Sequence, residues 1–214
     1  ITKNPSRHQR QTQKRAKMAE GGESGPLAKQ FAFLEEADRL KNILRATPIH
    51  DNSRRENSAE HSWHVALYAL VLAEHAKHDI DITRVLKMLL LHDLVEIDAG
   101  DMPIHEAHDA EAQAEKERAA ADRIFGLLPH EQGREFRAIW DEFEAAETAE
   151  AVFAKSIDRV QPLALNMASG GGSWRDYDVT LAQIDTRVGE KVARGAPSVW
   201  TYIRARVAQF FANN

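Results

Sequence analysis

Cysteine is absent from this chain of 214 residues. That removes any disulfide framework and all thiolate chemistry, so a metal ligand here must be His, Asp or Glu. A reducing, cytoplasmic compartment suits such a chain. Long apolar runs are scarce as well. The longest, around Lys87 to Val95, is broken by His92 and Asp93 and falls short of the roughly 20 residues of a membrane span. No membrane partner is expected. An excess of basic charge is also lacking: 28 Lys and Arg stand against 33 Asp and Glu, a net charge of −5, so no stable nucleic-acid binding is expected. Finally, no segment alternates convincingly as a strand and no repeat is present. What remains is an ordinary globular composition, 43% hydrophobic and 29% charged, long enough for one full core.

Residues 1–25 carry Lys3, Arg7, Arg10, Lys14, Arg15 and Lys17 and almost no large apolar side chains. They read as a disordered basic tail, with Met18 the expected natural start and a basic targeting arm as the alternative. Residues 26–214 read as a single all-α domain. Leu27, Phe31, Phe33, Leu34, Ala37, Leu40, Ile43 and Leu44 recur at helical spacing from Pro26, and Pro48 ends that helix. A polar loop spans Ile49 to Asn57. Ser58 is the expected N-cap of a central helix running to about Lys77, with His61 at its third position. Further helices are expected from Asp81 or Thr83 to the His92-Asp93 pair, then Asp109 to Phe125, Glu131 to Glu144, and Ala149 to Met167 capped by Thr148. Two more follow the Gly170-Gly171-Gly172 break, Thr180 to Arg194 and Pro197 to Ala212.

Three of these helices place polar residues where their periodicity calls for apolar ones: His61, then His92 with Asp93, then Asp158. Burying an ionised carboxylate costs several kcal/mol unless a partner or a metal compensates it. Taken singly, each has a plain explanation as an ion pair, a cap or a surface residue. Together they form a mixed nitrogen and oxygen set suited to one divalent ion, Mn²⁺, Co²⁺, Fe²⁺, Ni²⁺ or Zn²⁺. Four ligands on an octahedral ion leave positions for water or substrate, the open arrangement of a catalytic centre. His64, one turn from His61, reads as a packed residue, and His105 and His108 read as loop residues.

The set His61 … His92-Asp93 … Asp158 resembles the HD superfamily of metal-dependent phosphohydrolases. Its flanks, Glu56-Asn57-Ser58-Ala59-Glu60-His61-Ser62 and His92-Asp93-Leu94-Val95-Glu96 with Gly100-Asp101-Met102-Pro103, are similar to the branch of bacterial 5′-deoxynucleotidases and small eukaryotic HD-domain-containing proteins. The likeness runs from about Leu34 to Met167. It implies an HD-domain helical bundle, with His61, His92, Asp93 and Asp158 holding one divalent ion (Mn, Co, Fe, Ni, Zn or Mg) and Glu96 and Asp101 at the reacting centre. Glu96, three residues after Asp93, is placed to accept a proton from the attacking water or to orient it. Asp101 assists from the loop or caps the turn at Gly100. Where the deoxynucleotidases carry Arg-Trp before the proline, this chain has Ala46-Thr47, with Arg45 one step earlier. That departure weakens deoxyribose selectivity but not phosphate chemistry. Arg45, Arg54 and Arg55 are the candidate phosphate contacts, a solvated basic loop being the alternative for the last two.

The leading expectation is a phosphomonoesterase acting on 5′-nucleoside monophosphates. A phosphodiesterase or triphosphohydrolase of the same superfamily, and a metal-stabilised nucleotide-binding module without turnover, are the alternatives. Relatives of this branch are commonly dimers. Val199, Trp200, Tyr202, Ile203, Val207, Phe210 and Phe211 on the last helix exceed what one face needs, which points to a homodimer; packing on its own domain is the alternative.

Overall fold

A computed structural model describes residues 25–102 and 109–213. The expected tail up to Ser24, and His105 and His108, lie outside the described residues. Helix α1 (Pro26–Asp38) starts on a proline, whose missing N–H is no loss in a first turn, and tightens into a 3₁₀ turn (Arg39–Asn42). It does not continue to Pro48. The chain instead forms an antiparallel ribbon of β1 (Leu44–Pro48) and β2 (Arg55–Asn57), in which Leu44 pairs with Asn57 and Pro48 with Arg55 around an irregularity in register. This corrects the expectation of no strands. The turn signals lie in the polar loop: Asn52 takes a left-handed φ of 59°, and the Asp51 side chain accepts the Ser53 N–H at 3.0 Å.

Helix α2 (Ser58–Leu72) is capped by Asn57 rather than by Ser58. The Asn57 side chain accepts the Glu60 N–H at 2.9 Å and Glu60 accepts the Asn57 N–H at 3.3 Å, a reciprocal cap. The helix stops at Leu72, short of the expected Lys77. Next come α3 (Ile82–Leu91, capped by Asp81), a 3₁₀ turn (His92–Val95) and α4 (Glu96–Ala99). Helices α5 (Ala110–Phe125), α6 (His130–Ala145) and α7 (Ala149–Ala168) fall within a residue or so of their expected bounds. A short α8 (Gly172–Asp176), unexpected, follows the glycine run. The single helix expected from Thr180 is three pieces: α9 (Leu181–Ile184), a π turn (Asp185–Gly189) and α10 (Glu190–Gly195). Helix α11 (Pro197–Asn213) closes the chain.

The core is one cluster in which α2, α3 and α7 meet through Val65, Ala69, Val85, Met88, Phe153 and Ile157, all buried. Helix α11 packs on this same body. Val199, Ile203 and Val207 are buried, Trp200, Phe210 and Phe211 lean on the core, and only Tyr202 of the expected surplus is exposed. Exposed apolar side chains lie instead on α1, at Leu27, Phe31 and Leu34, and on α2, where Trp63, Leu67, Leu70 and Val71 form a stripe. Among the described residues no helix is long and apolar enough to cross a membrane.

Helices α7 and α10 approach closely at Gly195. Ser156 Oγ donates to Val152 O at 2.7 Å and reaches Lys191 O at 3.1 Å, tying the two together. A Cβ at Gly195 would meet Ser156 Oγ at 2.4 Å and Val152 O at 2.6 Å, the latter backbone that cannot turn aside. Gly195→Ala is therefore expected to destabilise the protein by about 1–3 kcal/mol through overpacking. At about 2–4 °C per kcal/mol for a chain of this size, thermal melting should show the drop; an unchanged midpoint would count against the close contact.

Candidate metal centre

The reciprocal cap at Asn57 sets where α2 begins and so fixes His61 in its first turn. Both nitrogens of this fully buried ring are engaged. Nδ1 lies 3.0 Å from Gln161 Oε1 and Nε2 lies 2.9 Å from Asp158 Oδ1. Gln161, also fully buried, donates through Nε2 to Glu56 Oε1 at 2.7 Å and sits 3.2 Å from His64 Nδ1. A carboxylate only accepts, so Glu56 turns the Gln161 amide nitrogen toward itself and its oxygen toward His61. His61 Nδ1 must then be the donor, which leaves Nε2 free to bind a metal. His92, where α3 gives way to the 3₁₀ turn, is set by the same logic. Its Nδ1 is 2.8 Å from the Leu89 carbonyl, an acceptor, so its Nε2 points inward.

The inward atoms converge. His61 Nε2, His92 Nε2 and an Asp158 oxygen lie within 4.8 Å of one another. Asp93 Oδ1 is 2.9 Å from His92 Nε2, yet that nitrogen is buried without a hydrogen-bond partner. An orphaned imidazole nitrogen beside two carboxylates is what a divalent ion of mixed nitrogen and oxygen preference requires. Without a cation, protons supply the charge. Burial acts to lower His92, but Asp93 and Asp158 outweigh it and lift the ring to about 10. Burial and Arg45 likewise depress His61, and Asp158 and Glu56 overcome them. Burial raises Asp93, and His92 with Arg45 brings it down to about 2.

Arg45, on β1, enters this group from the ribbon. Its Nη1 is 3.2 Å from Asp93 Oδ2, 3.7 Å from Asp101 Oδ1 and 3.8 Å from Glu96 Oε1, while its Nε is 3.8 Å from Glu56 Oε2. Burial opposes its charge; Asp93, Asp101 and Glu96 hold it. Ser58, released from capping, donates to Glu96 Oε2 at 2.5 Å. Glu96 is raised well above the ordinary carboxylate range, by burial and then by Asp93. Asp101, just after Gly100 with its φ of 77°, is raised chiefly by burial. Pro162, four residues beyond Asp158 inside α7, has no N–H to give the Asp158 carbonyl.

Beside this centre opens a cavity of about 370 Å³, lined by Arg45, His92, Asp93, Glu96, Asp101 and Asp158 and extending past Arg159 and Lys191 to Trp174 and Tyr177. The structure thus gathers the expected His61, His92, Asp93, Asp158, Glu96, Asp101 and Arg45. It does not bring Arg54 and Arg55 there. Arg54 is held by both oxygens of Glu60 at 2.9 and 2.7 Å, and Arg55 is exposed, 3.8 Å from Asp176. Sequence reasoning missed Glu56, Ser58 as the partner of Glu96, and Gln161. Glu56 sits within the motif flank and Gln161 three residues after Asp158, but nothing local marks either as buried.

A model of the HD domain family matches residues 37–200. The 5′-deoxynucleotidase HDDC2 of Homo sapiens is 28% identical over 130 residues, covering 60% of this chain and 62% of that protein. The chain thus spans less than two thirds of that relative. A 5′-deoxynucleotidase of Photorhabdus laumondii is 26% identical over 167 residues, 74% of this chain and 84% of the relative. The crystal structure of a predicted metal-dependent phosphohydrolase from Magnetospirillum magnetotacticum superposes with a TM-score of 0.82 at 48% identity, covering 87% of this chain and 96% of that one.

Gln161→Leu removes the acceptor that fixes His61 and the donor that satisfies Glu56. Titration with Mn²⁺ or Co²⁺ should show affinity lowered by about 10–100-fold, the usual worth of an outer hydrogen bond to a ligating histidine. Unaltered affinity would show that Gln161 does not set the ring.

Proposed function

This chain belongs to the HD domain family, and from that premise we propose that it is a metal-dependent phosphohydrolase releasing phosphate from 5′-nucleoside monophosphates. The observation that carries the reading is the convergence of His61 Nε2, the orphaned His92 Nε2 and Asp158 Oδ1 on one point at the edge of the cavity. His61, His92, Asp93 and Asp158 would hold the ion. When bound, it supplies Lewis-acid polarisation of a phosphoryl oxygen and lowers the pKa of water.

The chain's own groups do the rest. Ser58 occupies one oxygen of Glu96 and leaves Oε1 to accept the proton of the attacking water. A carboxylate lifted by burial retains a proton better near neutral pH than an ordinary one, which suits that task. Asp101 orients the same water, and Arg45 faces the phosphoryl group while offsetting the surrounding carboxylates. The cavity volume suits a mononucleotide. Ala46 and Thr47 line it, so the reading does not extend to deoxyribose selectivity. Arg54 and Arg55 take no part in it.

A cytoplasmic location, where mononucleotides are found, and assembly as a homodimer belong to the same reading. The support for a dimer is no longer α11 but the exposed stripe Trp63, Leu67, Leu70 and Val71 on α2. Sedimentation at micromolar concentration should show twice the 24.1 kDa chain mass; a monomer would remove the dimer from the reading.

The chemistry is tested by phosphate release from a panel of mononucleotides with Mn²⁺, Co²⁺ or Mg²⁺. Glu96→Ala should keep its metal and lose about 10²–10⁴-fold in kcat. Asp93→Ala should lose metal and activity together. Turnover of Glu96→Ala at the parent rate would refute the role given to Glu96, and a parent that releases phosphate from no member would favour a binding module.

A further inference from the structure

Charge is unevenly distributed around the cavity. Glu56, Asp93, Glu96, Asp101 and Asp158 crowd one region with Arg45 as their common cation. Adding a divalent ion leaves these groups net negative, and a phosphate dianion approaching them would be repelled. Positive charge must come from elsewhere on the cavity wall.

It is present on α7 and α10. Arg159 lines the cavity with Nε 3.5 Å from Asp158 Oδ2, directly beside the metal centre. That Nε is buried and has no hydrogen-bond partner. Lys191 lines the same cavity from α10 and makes no ion pair among the described residues. Burial, then Arg159 and Lys155, push its ammonium below the ordinary lysine range, so these cations are held where they feel one another. Lys155 has a partner of its own, Glu144 at 3.0 Å, and lies over the Phe143 ring. Lys191 has none among the described residues, and the one partner of Arg159 there is Asp158, a carboxylate that His61 also engages.

The arrangement is enforced by packing. Lys155 and Arg159 stand four residues apart on one helix, a spacing at which like charges repel. Gly195 and Ser156 draw α10 against α7, and the Lys191 carbonyl is itself within 3.1 Å of Ser156 Oγ. The π turn just before α10 inserts the extra residue that alters the register of this segment. Holding Lys191, without an ion pair among the described residues, beside Arg159, whose one carboxylate is shared with His61, calls for an anion.

We propose that Arg159 and Lys191 form the clamp that grips the non-bridging oxygens of the substrate's phosphoryl group. The proposal rests on the phosphohydrolase reading for the identity of that anion. A guanidinium fork with an adjacent ammonium matches a tetrahedral oxyanion, and the position beside Asp158 puts the clamp next to the phosphate held at the metal.

The test measures binding of inorganic phosphate to the Mn²⁺-loaded protein by calorimetry, with Mn²⁺ affinity measured separately. Arg159→Gln and Lys191→Gln should each weaken phosphate binding by about 5–50-fold, and the double variant by more, as expected for lost charge-assisted hydrogen bonds. Mn²⁺ affinity should stay equal or tighten in Arg159→Gln, because a neighbouring positive charge is gone; a merely structural role would weaken it. Should Arg159→Gln fail to fold, Lys191→Gln at its exposed position carries the test alone. Phosphate affinity unchanged in the variants, or a parent that binds no phosphate, would overturn the clamp. A parent that binds phosphate but releases none from any mononucleotide would overturn the phosphohydrolase reading and leave the clamp standing.

Discussion

Two imidazole nitrogens and a carboxylate oxygen aimed at one buried point cannot stand without positive charge between them. Much of the neighbouring structure serves that arrangement. The Leu89 carbonyl holds one ring and the Gln161–Glu56 pair holds the other, so that both present the same nitrogen inward. Helices α2, α3 and α7 pack through fully buried residues such as Val65, Met88 and Ile157, which keeps the elements around His61, His92 and Asp158 from drifting apart. Close packing of this kind transmits small displacements, and metal ligation tolerates only tenths of an ångström.

The carboxylates around this point differ in what their surroundings do to them. Asp93 and Asp158 are driven down by the histidines, and Glu96 and Asp101 are driven up by burial and by their neighbours. Acids pushed in opposite directions within one site commonly divide the work, one pair holding charge and the other exchanging protons. Arg45 contacts both kinds. It therefore couples the electrostatics of Asp93 to those of Glu96 and Asp101.

Much of this was legible in the sequence. Polar residues at apolar positions of helices mark buried charge, and His61, His92, Asp93 and Asp158 stand out on that ground, with Glu96 and Asp101 carried by their motif flanks. Helices α5 and α7 start at side-chain caps of a kind legible in sequence, Asp109 and Thr148, whereas Pro129 before α6 makes no side-chain cap. The ribbon was not legible, because its strands are short, one of them ends on a proline and their pairing is irregular. Ser58 and Asn57 are both good caps, and only the structure shows that Asn57 takes the role and Ser58 turns to Glu96. Gln161 and Lys191 owe their importance to contacts across the fold, which no local pattern records. The apolar side chains of α11 are a related case: composition shows their number, and only packing shows that most of them face inward.

The ribbon itself has a consequence for how the molecule holds together. Two strands of five and three residues are at best marginal in water. Pro48 lies against the Gly172 turn, Arg55 lies near Asp176 and Asn57 caps α2, while Arg45 and Glu56 are turned inward to the charged centre. Groups of the charged centre therefore also contribute to the ribbon's anchorage. Order in a peripheral hairpin is tied to the charge state of a buried site, so a change of occupancy at the centre is felt at the surface as a change in how firmly residues 44–57 are held.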